Sequence, residues 1–274
     1  MLAQLLKHEF RATRRLVPFI YLATLIIILG NLLLRQLDIP WLNTTMLILM
    51  IVAGIGEAIL TYVVVIYRYY KNLYNSEGYL MHTLPVPPRQ LLTSKVIVSF
   101  IWLLISYLLM VGVVLTVALI MVGDQVGANL SIGQLIDQII ASTGLQITSF
   151  YAIFAAFIAY ILLSIVYLLS QIFLAISVGN LSRFHRMGIG APIFTYLAIY
   201  FFTQIMTLVF MIAVPLGLTV NGGVLQLVPE SMLATITNPN RPVIGLGSIV
   251  FIILATIGFF VLTAHIMKRR TSLK

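Results

Sequence analysis

Six long apolar runs dictate what this chain can become. They cover Val17–Leu34, Thr44–Ile66, Val96–Val122, Ile147–Val178, Ile189–Leu218 and Ile244–Ile266. Each is long enough to cross a hydrocarbon layer of about 30 Å as a helix rising about 1.5 Å per residue. A helix satisfies its own backbone polar groups, so lipid tolerates it. The charge content leaves few alternatives. Only 8% of the 274 residues are charged, against roughly 25% in a soluble domain. Sixteen basic and seven acidic side chains cannot cover the surface of a soluble globular enzyme. The apolar content excludes a disordered chain or a fibrous repeat. There is no cysteine, which excludes a disulfide framework and a thiolate metal site.

The expected fold is therefore all-α. It is a polytopic membrane protein with six transmembrane helices, in one transmembrane domain over residues 1–274. No repeat, linker or low-complexity tract divides it, and no cleaved signal peptide is expected. The fourth and fifth runs exceed a straight crossing, so they are expected to tilt, kink or extend past the headgroups. Pro192 and Pro215 sit near the ends of the fifth.

The basic residues set orientation. Fourteen of the sixteen fall on one side of the six crossings: Lys7 to Arg15, Arg68 to Lys95, Arg183 and Arg186, and Lys268 to Lys274. Only Arg35 and Arg241 fall on the other. This bias predicts a multi-pass protein of the cell membrane with both termini cytoplasmic. The net charge of +9 thus reports topology and attraction to anionic lipid, not nucleic acid.

The connecting segments carry more information. Over residues 1–16, Leu2, Leu5, Leu6 and Phe10 share one helical face, with Lys7, Arg11 and Arg14 largely opposite. That pattern is an amphipathic interfacial helix ended near Pro18. On the outer side, Ser131 and Gln134 form a capping box before Ile132, Leu135, Ile136, Ile139 and Ile140, and Gly144 can end that helix. A further short outer helix is expected from Pro229, with Glu230 in its first turn, stopping before Pro239. These two helices precede the fourth and sixth spans.

Catalytic patterns are missing. His8, His82, His185 and His265 each lie near the cytoplasmic edge without a partner at metal-ligand spacing. The H-E-x-x-H and G-x-S-x-G patterns do not occur, and no lysine precedes Ser or Thr as a phosphate-binding loop requires. The chain is not expected to be an enzyme or to bind ATP by that loop.

Polar residues inside the spans are the candidate pathway. Glu57 is the one acidic residue within a span, with Thr61 one turn on and Gly54 and Gly56 beside it. A charge at mid-bilayer costs about 2.5–3.5 kcal/mol on insertion scales. Glu57 and Thr61 therefore either line a substrate path or make a buried hydrogen bond to a neighbouring helix. Tyr160, Ser164, Tyr167 and Gln171 form a stripe in the fourth span. Tyr196, Tyr200, Thr203 and Thr207, with Gln204 adjacent, form another in the fifth. Each stripe is either interhelical hydrogen bonding or an amphipathic wall for a mixed apolar and polar substrate.

The most specific segment is the first cytoplasmic loop, Tyr67–Lys95. Ser76 can cap a short helix and Glu77 suits its first turn. Tyr79, Leu80, Met81 and Leu84 follow together, an apolar surface that a solvated loop does not need. Its stretch E-G-Y-L-M-H-T-L-P-V-P-P-R-Q-L-L-T-S-K resembles the E-G-Y-L-x-x-T-L-P-V-x-x-x-x-L-L-x-S-K segment of type-2 ABC exporter permeases of Gram-positive bacteria. The plan of an amphipathic N-terminal helix, six spans, inward termini and a short helix before the sixth span is similar to that family as well. The resemblance implies that residues 76–85 form a coupling helix seated in a separate ABC ATPase subunit. The implied contacts are Glu77, Gly78, Tyr79, Leu80, Met81, Leu84 and Pro85. It also implies a second permease copy or a related permease, and no cofactor in this chain, with ATP and Mg on the partner. Small permeases of this kind resemble exporters of antimicrobial or toxin peptides, including phenol-soluble modulins. Two other classes stay open: an ATP-independent channel or secondary transporter using Glu57, and a peptide sensor or immunity subunit that moves nothing.

Overall fold

A computed structural model describes residues 2–74, 87–126, 131–181, 184, 187–188, 190–237 and 242–269. Glu77, Gly78, Tyr79, Leu80, Met81, Leu84 and Pro85, expected to form a coupling helix, lie outside the described residues. Six described helices are long and apolar enough to cross a membrane, and the protein is a polytopic all-α membrane protein. Large apolar side chains cover its outward faces, Phe19 at 70% exposed and Leu33 at 67% among them. Such a surface is stable only against lipid or another apolar surface.

The chain forms two compact units, residues 1–137 and 138–274. In the first, α1 (Leu2–Thr13) leads into α2 (Val17–Leu34). A single 3₁₀ turn and the left-handed Asp38 (φ 54°) reverse the chain. It returns as α3 (Pro40–Tyr74), and α4 (Pro88–Val126) follows. Both α3 and α4 run well past the apolar runs Thr44–Ile66 and Val96–Val122. At about 1.5 Å per residue each exceeds 50 Å, against about 30 Å of hydrocarbon. Two clusters hold this unit together. Val17, Tyr21, Val98 and Trp102 pack with Leu6 and Phe10 of α1, and Met50, Val113 and Ile120 pack further along. Gly54 gives α3 its close approach to α4: a Cβ there would stand 3.2 Å from the Val113 side chain, whereas one on Gly56 would meet nothing within 4 Å. Only the first of these two glycines is a packing requirement.

A short helix α5 (Ile132–Thr143) forms as its capping box predicts. The Ser131 Oγ accepts from the Gln134 backbone N–H at 3.3 Å, the Ser131 N–H donates to Gln134 Oε1 at 2.8 Å, and Gly144 ends the helix at φ 65°.

In the second unit α6 (Ile147–Gly179) packs against α7 (Gly190–Ala213) and α9 (Gly247–Arg269). Gly179 permits the α6–α7 approach, because a Cβ there would lie 2.5 Å from the Pro192 backbone nitrogen. Backbone cannot swing aside as a side-chain tip can. Gly179→Ala is therefore expected to lower stability by about 1–3 kcal/mol, read as a lower melting temperature in mild detergent. An unshifted melt would mean that the α6–α7 contact is looser than this.

Between α7 and α9 the sequence expectation fails. The fifth span does not continue to Leu218 but stops at Ala213. The sixth begins at Gly247, not Ile244. The intervening chain forms a three-stranded antiparallel sheet in the order β2-β1-β3, with β1 Gly217–Asn221, β2 Val224–Val228 and β3 Val243–Gly245. Pro215 cannot continue a helical ladder. Gly222 and Gly223, at φ 57° and 79°, make the two-residue turn that suits strand twist. The short helix expected before the sixth span, α8, is also smaller than expected. It covers Leu233–Thr237, leaving Pro229 and Glu230 outside. Thr235 ties it to the sheet, accepting from the Val243 N–H at 2.8 Å. The sheet is pinned to the start of α6 by Gln146 N–H to the Gly223 carbonyl at 3.0 Å and Leu225 N–H to Ser149 Oγ at 3.1 Å.

Candidate functional site

The densest polar geometry lies in the first unit, where α1 meets the last turns of α3 and the first turns of α4. Three residues of an otherwise apolar helix face point into that junction: Leu6, Glu9 and Thr13 fall three or four apart. Glu9 is buried. Its Oε1 accepts from Lys95 Nζ of α4 at 2.6 Å and from Asn72 Nδ2 of α3 at 3.4 Å, and its Oε2 accepts from Arg68 at 3.3 Å. One carboxylate thus joins α1 to both helices that flank residues 75–87. Lys95, only 4% exposed, needs such an anion, because an isolated buried ammonium is strongly disfavoured.

Burial opposes the charge on Glu9. The Lys95 ammonium and the Arg68 guanidinium outweigh it and hold the carboxyl below the ordinary glutamate range. The folded state therefore binds this proton less tightly than the unfolded chain. The stability Glu9 contributes is fully present above about pH 4.5, its ordinary value, and is lost as pH falls through the lowered native value. Melting temperature in detergent is expected to fall for wild type below that pH, with a shallower fall for Glu9→Gln. Parallel profiles for the two would assign the acid loss to other carboxylates.

A chain of hydrogen bonds runs from this junction into the span. The Glu9 carbonyl accepts from Thr13 Oγ1 at 2.9 Å. Thr13 Oγ1 accepts from the Trp102 indole N–H at 2.8 Å, and the Trp102 carbonyl accepts from the Tyr21 hydroxyl at 2.7 Å. The same Tyr21 hydroxyl stands beside Thr61, which donates to Glu57 Oε1 at 3.2 Å. Ser106 of α4 also borders that carboxyl. Glu57 is 2% exposed, and its Oε2 accepts no hydrogen bond. Of the residues singled out in the second span, Glu57 and Thr61 are thus brought together. They share a buried hydrogen bond, and the second carboxyl oxygen is buried without a partner.

The two stripes of the second unit behave differently. Gln171 Nε2 donates to Thr203 Oγ1 at 3.0 Å, and both are buried. Thr203 and Thr207 donate back to the Tyr200 and Thr203 carbonyls, and Ser164 to the Ile161 carbonyl. Tyr167 stacks on Phe259 with ring centroids 6.4 Å apart, and Tyr196 on Tyr200 at 6.3 Å. Tyr160, Tyr200 and Gln204 are exposed at the outward faces of α6 and α7. The Ser and Thr hydroxyls and the Gln171 amide N–H are spent within and between the two helices. The exposed aromatic face is what they leave for anything outside.

Glu9, Lys95, Asn72, Thr13 and Trp102 were not singled out by sequence reasoning, yet a signal existed. Glu9 is the lone acid in a basic segment, and it occupies an apolar-face position where a charge demands a partner. Among the described residues no three His, Asp or Glu side chains converge to hold a metal. No protein-family model, curated protein or solved structure matches the chain.

Proposed function

We propose that this chain is the membrane permease subunit of an ATP-driven exporter of the type-2 ABC kind. It moves an amphipathic or hydrophobic cargo, such as a small peptide, out across the cell membrane with both termini cytoplasmic. The observation that carries the reading is the E-G-Y-L…T-L-P-V segment of residues 77–86, placed between two helices that outrun the bilayer and are clamped by Glu9. The motif supplies a handle and the clamped helices supply rigid stems. A push on residues 76–85 is then delivered to α3 and α4 together. The engine is a separate ABC ATPase with ATP and Mg, and the pathway is completed by a second permease copy or a relative.

Purification from native membranes in mild detergent tests this. The expected result is an ATPase recovered with the chain, its activity stimulated by the permease. Recovery of the chain alone, with ion-gradient transport in vesicles that needs no ATP, would overturn the exporter reading in favour of a channel or secondary transporter. Ligand binding with no transport of any kind would favour a sensor or immunity subunit.

A further inference from the structure

A lateral cleft of about 600 Å³ runs between α2 and α3, and Glu57, which has a buried carboxyl oxygen without a hydrogen-bond partner, lies in its wall. Its walls are apolar: Phe19, Ile20, Ala23 and Ile27 from α2, Ala53 and Leu60 from α3. Glu57 lies among them, with Oε1 held by Thr61 and Oε2 accepting from nothing. Gly56 leaves the cleft open, since a side chain there would project into free space. The volume falls in the range of small-molecule sites, about 300–1,000 Å³.

We infer that this cleft binds a cationic amphiphile: an alkyl or other apolar body along the α2–α3 walls, with one ammonium group donating to Glu57 Oε2. The pairing follows from charge. A mid-span carboxylate oxygen that no protein group satisfies is costly, and an ammonium on an apolar carrier removes that cost while filling the groove. A neutral amphiphile fills the groove and leaves the oxygen unsatisfied. An anionic one adds repulsion. Arg15 at the other end of the cleft does not reverse the preference. It lies before the first turn of α2 and is exposed, so water screens its charge. As a cargo site the cleft rests on the exporter reading above; as a binding site it does not.

The purified chain in phosphatidylcholine nanodiscs, without any ATPase, is titrated with radiolabelled dodecylammonium by scintillation proximity, and competed with unlabelled dodecylammonium or dodecanol. Saturable binding is expected, with dodecanol at least tenfold weaker as a competitor. Glu57→Gln, which keeps the side chain's shape, is expected to weaken the amine at least tenfold and leave the alcohol unchanged. Gly56→Leu, which fills the cleft and keeps the carboxylate, is expected to weaken both. Equal competition by amine and alcohol, or wild-type amine binding by either variant, overturns the inference. Were both variants to fail to fold, the amine-against-alcohol comparison on wild type still decides. Co-purification of an ATPase is a separate measurement, so the binding site and the exporter reading can fail independently.

Discussion

Glu9→Ala is expected to destabilise the first unit by roughly 3–5 kcal/mol, the cost of removing one partner from a buried ion pair. The loss has a structural cause more than a Coulombic one. The carboxylate is the shared acceptor for Lys95, Arg68 and Asn72, so its removal withdraws an acceptor from three donors on two helices at once. Arg68, partly exposed, can turn toward water; Lys95, at 4% exposure, has little access to it. Melting in detergent should fall on the order of 10 °C. Glu9→Gln should fall less, since its amide oxygen still accepts from Asn72 or Lys95. The informative variant is Glu9→Met with Lys95→Met. Replacing a buried pair by apolar residues of similar volume is often neutral, so the double variant should recover most of the stability lost by Glu9→Ala. A Glu9→Ala protein that melts with wild type would show that the junction is held by packing of Leu6, Phe10 and Trp102 alone.

Stability and coupling separate in that double variant. With the clamp replaced by apolar contact, α1 stays seated, but the directional bonds joining it to α3 and α4 are gone. On the exporter reading, stimulated ATPase activity should then fall several-fold while the melting temperature is kept. Normal stimulation with normal stability would leave the ion pair only a role in folding.

What could be read from the sequence follows the physics of each element. The spans were legible because lipid imposes one rule, long apolar runs without charge, and Val17–Leu34 forms α2 with the expected bounds. The helix capped by Ser131 was legible because its capping signal is local, within four residues. The sheet was missed because its strands are short and apolar, like the span ends beside them. The signal lay in Asn221-Gly222-Gly223 between the two runs, a two-residue hairpin turn. Reading Leu218 as the end of a helix required continuing past Pro215, against the cost of an interior proline. Glu9 was missed for a different reason. Its partners lie 59 to 86 residues away, and no local pattern announces a long-range pair. The fate of the polar stripes was likewise undecidable from spacing. Helical periodicity places Gln171 and Thr203 each on a face, but only the packing of α6 on α7 turns those faces toward one another.

Tyr79→Ala combined with Leu80→Ala is expected to abolish recovery of an ATPase partner. On the resemblance these two side chains are the apolar tip of the coupling helix, and a buried aromatic at an interface centre contributes about 2 kcal/mol or more when truncated. Two such losses, even if not fully additive, weaken association at least about a hundredfold, enough to lose a complex held at micromolar concentration in detergent. Stimulated ATPase activity should fall with it. Melting of the chain is read alongside, and an unchanged melt assigns the loss to docking and not to folding. Two controls fix the interpretation. His82→Ala alters the same loop at a position the family segment leaves open, and should retain the partner. Glu57→Gln alters the cleft and should retain it too. If the double alanine variant carries its ATPase at the wild-type level, residues 76–85 are not the handle. The clamped stems of α3 and α4 would then position something other than a docking helix.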